Sequence, residues 1–168
     1  VRFAIRPAKL GDADAIARVH AASWRDSYRA LLPPHALIRL DAEQRQGWRR
    51  TLADPAILTV VAYDVSSGDI VGVCDAGRNR GTTAHAGEIY RIYLDYHAKR
   101  HGLGREMFEY VTDWLRAQRL GSLIIWVLDS NAHACRFYEA MGGRLGPRVG
   151  SRVAGVAVVE RAYVWDAL

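Results

Sequence analysis

Residues 88–119 read EIYRIYLDYHAKRHGLGREMFEYVTDWLRAQR, and this stretch decides the fold. Glu88 to Leu94 is rich in isoleucine and tyrosine, the composition of a strand. Leu103, Met107, Val111 and Trp114 then follow at steps of four, four and three, the stripe of an amphipathic helix. A basic loop, Lys99-Arg-His-Gly-Leu-Gly-Arg105, joins the two. Gly102 and Gly104 let a ligand come close to the backbone. The first N–H groups of the helix have no partner within it, and the helix dipole adds partial positive charge there. With Arg100 and Arg105 alongside, this junction is a candidate pyrophosphate site. Two familiar glycine motifs do not fit. A dinucleotide fingerprint needs glycine where Met107 stands, and a phosphate-binding loop of the Gly-Lys-Ser/Thr type would need Lys where Arg105 follows Gly104.

Outward from this segment the chain alternates between the two periodicities. Arg2 to Ile5 reads as a short strand ended by Pro7. A helix follows from Asp12 as N-cap, with Ala15, Ile16 and Val19 on one face. Pro33-Pro34 breaks whatever precedes it, and Asp41 with Gln44 reads as a capping box for a helix through about Leu52. Ile57 to Tyr63 and Ile70 to Asp75 form a hairpin around Ser66-Ser-Gly-Asp69. Beyond the central segment, Ser122 to Leu128 is a continuously apolar strand, the kind covered on both faces. Asn131 to Met141 is a short helix stopped by Gly142-Gly143, and Val153 to Trp165 closes the chain as a strand. The order β-α-α-β-β-β-α-β-α-β gives an α/β fold, a mixed sheet with helices packed on it.

Composition narrows the classes. At 168 residues, 50% hydrophobic and 24% charged, the chain can bury a core without disulfides or metal, and residues 1–168 read as one domain. No apolar run reaches the roughly 20 residues a membrane helix needs. The first residues lack a signal peptide's apolar stretch, and Cys74 and Cys135 form no paired motif. A cytoplasmic protein without a membrane partner is expected. The net charge of +5 allows anionic ligands, and nucleic acid is not expected on that ground alone. His97 and His101 are four apart, but no third ligand accompanies them, so no metal is expected.

The strand, the loop Lys99 to Arg105 and the helix resemble motif A of the GNAT superfamily of acetyl-CoA-dependent N-acetyltransferases, with Lys99 where that family has Gln or Arg. Residues 126–143, WVLDSNAHACRFYEAMGG, are similar to its motif B: a strand, an Asn, then a helix bearing Phe-Tyr and ending in Gly. The resemblance implies the GNAT-like sheet, mostly antiparallel with a parallel splayed pair of strands at the cofactor site. It implies acetyl-CoA as cosubstrate, its pantetheine paired with backbone groups of Ile92 and Leu94 and contacted by Asn131. An N–H near Ile92 or Tyr93 would meet the thioester oxygen. Lys99, Arg100, His101, Gly102, Leu103, Gly104 and Arg105 would hold the pyrophosphate.

Tyr138 matches the tyrosine that protonates the departing thiolate. Glu88 is the candidate base for the attacking amine, directly or through water, and period-2 alternation places it on one face with Tyr90 and Ile92. Trp24 and Tyr28 line an acceptor pocket or simply pack. The implied activity is acetyl transfer to a primary amine, small molecule or peptide, by direct attack in a ternary complex. A non-catalytic acyl-CoA-binding sensor on the same fold is the alternative, and a homodimer stays open.

Overall fold

The computed structural model describes residues 2–28, 33–153 and 155–168, leaving aside the side chains at 27, 28, 36 and 40–42. The elements in chain order are β1 (Phe3–Pro7), α1 (Ala13–Tyr28), α2 (Pro34–Ala53), β2 (Leu58–Asp64), β3 (Ile70–Arg78), β4 (Gly87–Leu94), α3 (Leu103–Ala117), β5 (Leu123–Leu128), α4 (Ala132–Ala140), β6 (Arg144–Val153) and β7 (Val156–Trp165). Among the described residues, seven strands form one sheet in the order β1-β2-β3-β4-β5-β7-β6. Every neighbouring pair is antiparallel except β4–β5, which α3 joins as a parallel crossover.

Alternation along the strands sorts the core onto two faces. Val60 and Ala62 of β2 join Cys74, Ala76, Met107, Val111 and Leu115 under α3, while Val61 joins Val73, Ile16, Val19 and Trp48 under α1 and α2. The stripe of α3 buries Leu103, Met107 and Val111 as its spacing predicts. Leu115, rather than the half-buried Trp114, completes it. Each such burial contributes roughly 1.5–3 kcal/mol.

Three expectations change. Helix α2 begins at Pro34, with Pro33 as N-cap and proline in the first turn, so Asp41 and Gln44 lie inside the helix rather than at its start. The fixed φ of proline suits a first helical turn, and that outweighed the capping-box signal. The closing strand is one arm of a hairpin: Arg144–Val153 pairs with Val156–Trp165, and its mostly exposed, Arg- and Gly-rich sequence hid the first arm.

The third change concerns β4. Asp75 pairs with Arg91 but Ala76 pairs with Ile89, a bulge that inserts one extra residue at Tyr90. Ile89 and Ile92, three apart, therefore both pack with the α3 cluster, and Tyr93 packs with the α1–α2 cluster. Glu88, next to Ile89 and on the other face from it, does not share a face with Ile92. The alternation read from the sequence fails at the bulge.

Candidate active site

The parallel ladder between β4 and β5 holds only at Gly87–Leu123 and Glu88–Ile124. Past Glu88 the two strands part, and β4 from Tyr90 to Leu94 has no strand partner on its β5 side. A cavity of about 770 Å³ fills the gap. Its walls include Ile92, Tyr93 and Leu94 on one strand, Ile125 to Leu128 on the other, and Asn131, Phe137 and Tyr138 of α4. It continues through to the α1 side, where Ser23, Trp24, Asp26, Arg80, Glu88, Tyr90 and Glu160 line it. An elongated ligand could add to the open edge of β4 as a further strand would.

Glu88 is almost fully buried at the point where the strands part. The backbone N–H of Arg80 donates to its Oε2 at 2.9 Å, and the Arg80 guanidinium reaches Oε1 at 3.0 Å. That guanidinium also lies 3.7 Å from the centre of the Tyr90 ring, whose hydroxyl donates to the Arg78 carbonyl at 2.7 Å. A carboxylate has about four lone-pair directions, so these contacts fix Glu88 and leave acceptor capacity toward the cavity.

Tyr138 is buried against Phe137 and Tyr163, with ring centres 5.5 and 5.7 Å away. Burial, and then the neighbouring Tyr93, push its phenol well above the ordinary range, so it holds its proton at any physiological pH. The helix that carries it is anchored at both ends. Asn131 accepts from the Ala134 N–H at 3.1 Å as N-cap. At the other end Gly142, with φ of 86°, donates to Glu139 at 3.0 Å, and Gly143 donates to Tyr138 at 2.9 Å.

The basic loop is built for backbone contact. Arg100 (φ 66°) and Gly102 (φ 82°) are both left-handed, and Gly102 is the N-cap of α3. The N–H groups of Leu103, Gly104 and Arg105 open the helix, while the Leu103 side chain is buried in the core. A Cβ on Gly104 would meet Phe137 at 3.2 Å, so glycine there lets the loop close onto α4. Lys99 lines the cavity. Arg100 and Arg105 are exposed, Arg105 3.7 Å from Glu109, and the His101 ring turns away to lie 5.3 Å from that of Phe3.

On the α1 side, Tyr93 stacks on His20 with ring centres 4.5 Å apart. Burial, chiefly, pushes the Tyr93 phenol up to about 12. Trp48 donates to Nδ1 of the buried His20 at 3.1 Å, and burial lowers that imidazole to about 3. Arg91 spans the floor: it pairs with the fully buried Asp75, reaches Thr51 at 3.2 Å and lies 3.7 Å from the Trp48 ring centre. Trp24 lines the cavity; the side chain of Tyr28 lies outside the described residues. Sequence reasoning passed over Arg80, Arg91 and Glu160. Arg80 reaches Glu88 through the antiparallel register of Arg78 with Gly87, which exists only once the strands pair, so no local signal marked it.

Among the described residues no group of three or more metal-ligating side chains gathers, and no helix is long and apolar enough to cross a membrane.

Fold and slot define the class: a mixed α/β protein whose sheet opens between two parallel strands to admit an elongated ligand. The Acetyltransferase (GNAT) family matches residues 18–143, three quarters of the sequence, and the chain belongs to that family and is an acetyltransferase. It is 28% identical over 165 residues to the uncharacterized N-acetyltransferase YuaI of Bacillus subtilis, covering 98% of this chain and 93% of that protein. Solved structures that share the fold include two acetyltransferases. One is the PaiA N-acetyltransferase of Thermoplasma acidophilum in complex with coenzyme A, with TM-score 0.73, 15% identity, and 97% and 100% of the two chains covered. The other is the ribosomal-protein-S5-alanine acetyltransferase of Vibrio fischeri, with TM-score 0.72, 19% identity, and 98% and 93% covered.

Proposed function

We propose that residues 1–168 act as one domain that moves an acetyl group from acetyl-CoA to a primary amine, by direct attack with both substrates bound. The observation that carries this reading is the single cavity that joins Glu88 on one side of the parted strands to Tyr138 on the other. Acetyl-CoA supplies the activated acetyl group as a thioester. The open edge of β4 at Ile92 and Leu94, with Asn131, suits the pantetheine arm. The loop from Lys99 to Arg105 suits the phosphates through its helix-opening N–H groups and its cations.

Glu88 takes the proton that the amine loses as its nitrogen forms the new bond to carbon. Tyr138 gives its proton to the sulfur as the carbon–sulfur bond breaks. A backbone N–H of Ile92 or Tyr93 meets the negative charge that develops on the carbonyl oxygen. Positioning and these groups suffice, with no covalent enzyme intermediate.

The acceptor is an amine on a small molecule or a peptide; the Vibrio fischeri relative, named for ribosomal protein S5, fits the second. The test is steady-state thiol release by Glu88→Gln and Tyr138→Phe. Each is expected to lower turnover about a hundredfold, the lower end for a lost general acid or base, while calorimetric CoA affinity stays within about twofold. Unchanged turnover in both would overturn the assignment.

A further inference from the structure

The strand β7 places a carboxylate in the acceptor end of the cavity that the transfer chemistry does not use. Alternation along β7 puts Arg161 and Tyr163 toward α4, where Tyr163 donates to Glu139 at 2.8 Å. Val158 and Glu160 therefore face the other way, toward α1, and Val158 packs with Leu128 and Trp24. Glu160 stands opposite Leu128 in the β5–β7 register and opposite Val149 in the β6–β7 register, and it lines the cavity with Trp24 and Tyr93. Its charge reaches the Tyr93 phenol.

Four arginines of the surrounding strands and loop are paired with other carboxylates. Arg80 pairs with Glu88, Arg91 with Asp75, and both Arg148 and Arg161 with Asp129. Among the described residues, Glu160 has one polar side-chain partner, the Ser151 hydroxyl, which donates to Oε2 at 3.0 Å. That contact fixes one oxygen without neutralising the charge. A half-buried carboxylate that lines a cavity together with Trp24 and Tyr93 is the chemistry that receives a cation.

We infer that Glu160 is a specificity-determining residue that binds a second positive charge on the acceptor, so that the acceptor is an amine carrying another cationic group, such as a diamine. This rests on the acetyl-transfer reading and deepens it. One amine nitrogen stands at Glu88 to react, and the second stays protonated against Glu160. The net charge of +5 is a long-range term; the acceptor meets the local one, and a desolvated charge pair outweighs scattered surface charges.

The experiment compares putrescine with butylamine, a diamine and a monoamine of equal chain length, as acceptors for the wild type and for Glu160→Gln and Glu160→Asp. The wild type is expected to favour putrescine in kcat/KM by about tenfold or more, the scale of one charge-assisted hydrogen bond. The ratio should fall close to one in Glu160→Gln through a rise in KM, and be partly kept in Glu160→Asp. A wild-type ratio near one, or a ratio that survives Glu160→Gln, overturns the inference. Calorimetric binding of putrescine to the enzyme–CoA complex in the same variants separates the two readings. Binding that depends on Glu160 without turnover refutes acetyl transfer alone, and equal binding by wild type and Glu160→Gln refutes the role of Glu160.

Discussion

His20 shows how much of this protein's behaviour is set by single side chains that no motif marks. It is 4% exposed, stacked on Tyr93, and accepts from Trp48 through Nδ1, so its proton sits on Nε2, which has no partner among the described residues. Burial first, and then the charge of Arg91, hold it neutral. Its folded value of about 3 lies below the ordinary 6.5. Below pH 6.5 the unfolded chain therefore takes up a proton that the folded chain refuses. The stability this group contributes is full above 6.5 and is lost as pH falls toward about 3, at up to about 1.4 kcal/mol per pH unit. Urea unfolding of wild type and His20→Gln across that range should give a flatter curve for the variant. Parallel curves would show that other groups set the acid sensitivity. At the same scale, the Arg80–Glu88 pair fixes the direction in which the candidate base points, and the Asp75–Arg91 pair holds the bulged stretch of β4 against β3.

At the scale of elements, α4 carries Tyr138, the proposed proton donor, and its C-terminal turn holds that residue in place. The two hydrogen bonds from Gly142 and Gly143 close the helix directly onto Glu139 and Tyr138. Gly143 also leaves no room for a side chain: a Cβ would lie 2.8 Å from the Trp165 ring and 2.9 Å from the Tyr138 carbonyl. Neither the buried indole, held by its N–H to the Met141 carbonyl at 3.0 Å, nor the backbone can yield cheaply. Gly143→Ala is expected to cost roughly 1–3 kcal/mol, the range for overpacking, read from the urea midpoint. Turnover should fall with it, because Tyr138 is the group displaced. Wild-type stability and turnover in this variant would mean that α4 adjusts freely.

Across the whole molecule, helices on both faces hold a sheet that is opened in its middle, where β4 and β5 share only two paired positions. A ligand that adds to the open edge restores what the strands leave unmade, so binding and stability are linked. At one hundred times its Kd, CoA should stabilise the fold by about 2.7 kcal/mol, seen as a rise in the thermal midpoint. Amide exchange should slow at Ile92 to Leu94 and at Leu103 to Arg105, with little change in β1 or β2. CoA lacking the pyrophosphate should lose the protection at the loop and keep it on β4. Protection spread evenly over the sheet would argue against a ligand in the gap.

The sequence by itself determined the alternation of strands and helices, the stripe of α3, the glycine loop at its start, and the Asn-to-Tyr spacing of α4. All of these follow from short-range periodicity and local backbone conformation, which a chain carries in its composition. It did not determine the bulge at Tyr90, which turns Glu88 and Ile92 to opposite faces, because a bulge is a register mismatch with β3 and exists only once the two strands pair. The first arm of the closing hairpin was hidden for a related reason: its side chains are mostly exposed, so burial left no pattern on them. Tertiary structure alone brought Arg80 to Glu88, Arg91 to Asp75, and Glu160 to the α1 side of the cavity. Those meetings join residues between 8 and 16 positions apart, or on separate strands, and depend on sheet order and strand direction rather than on any local preference.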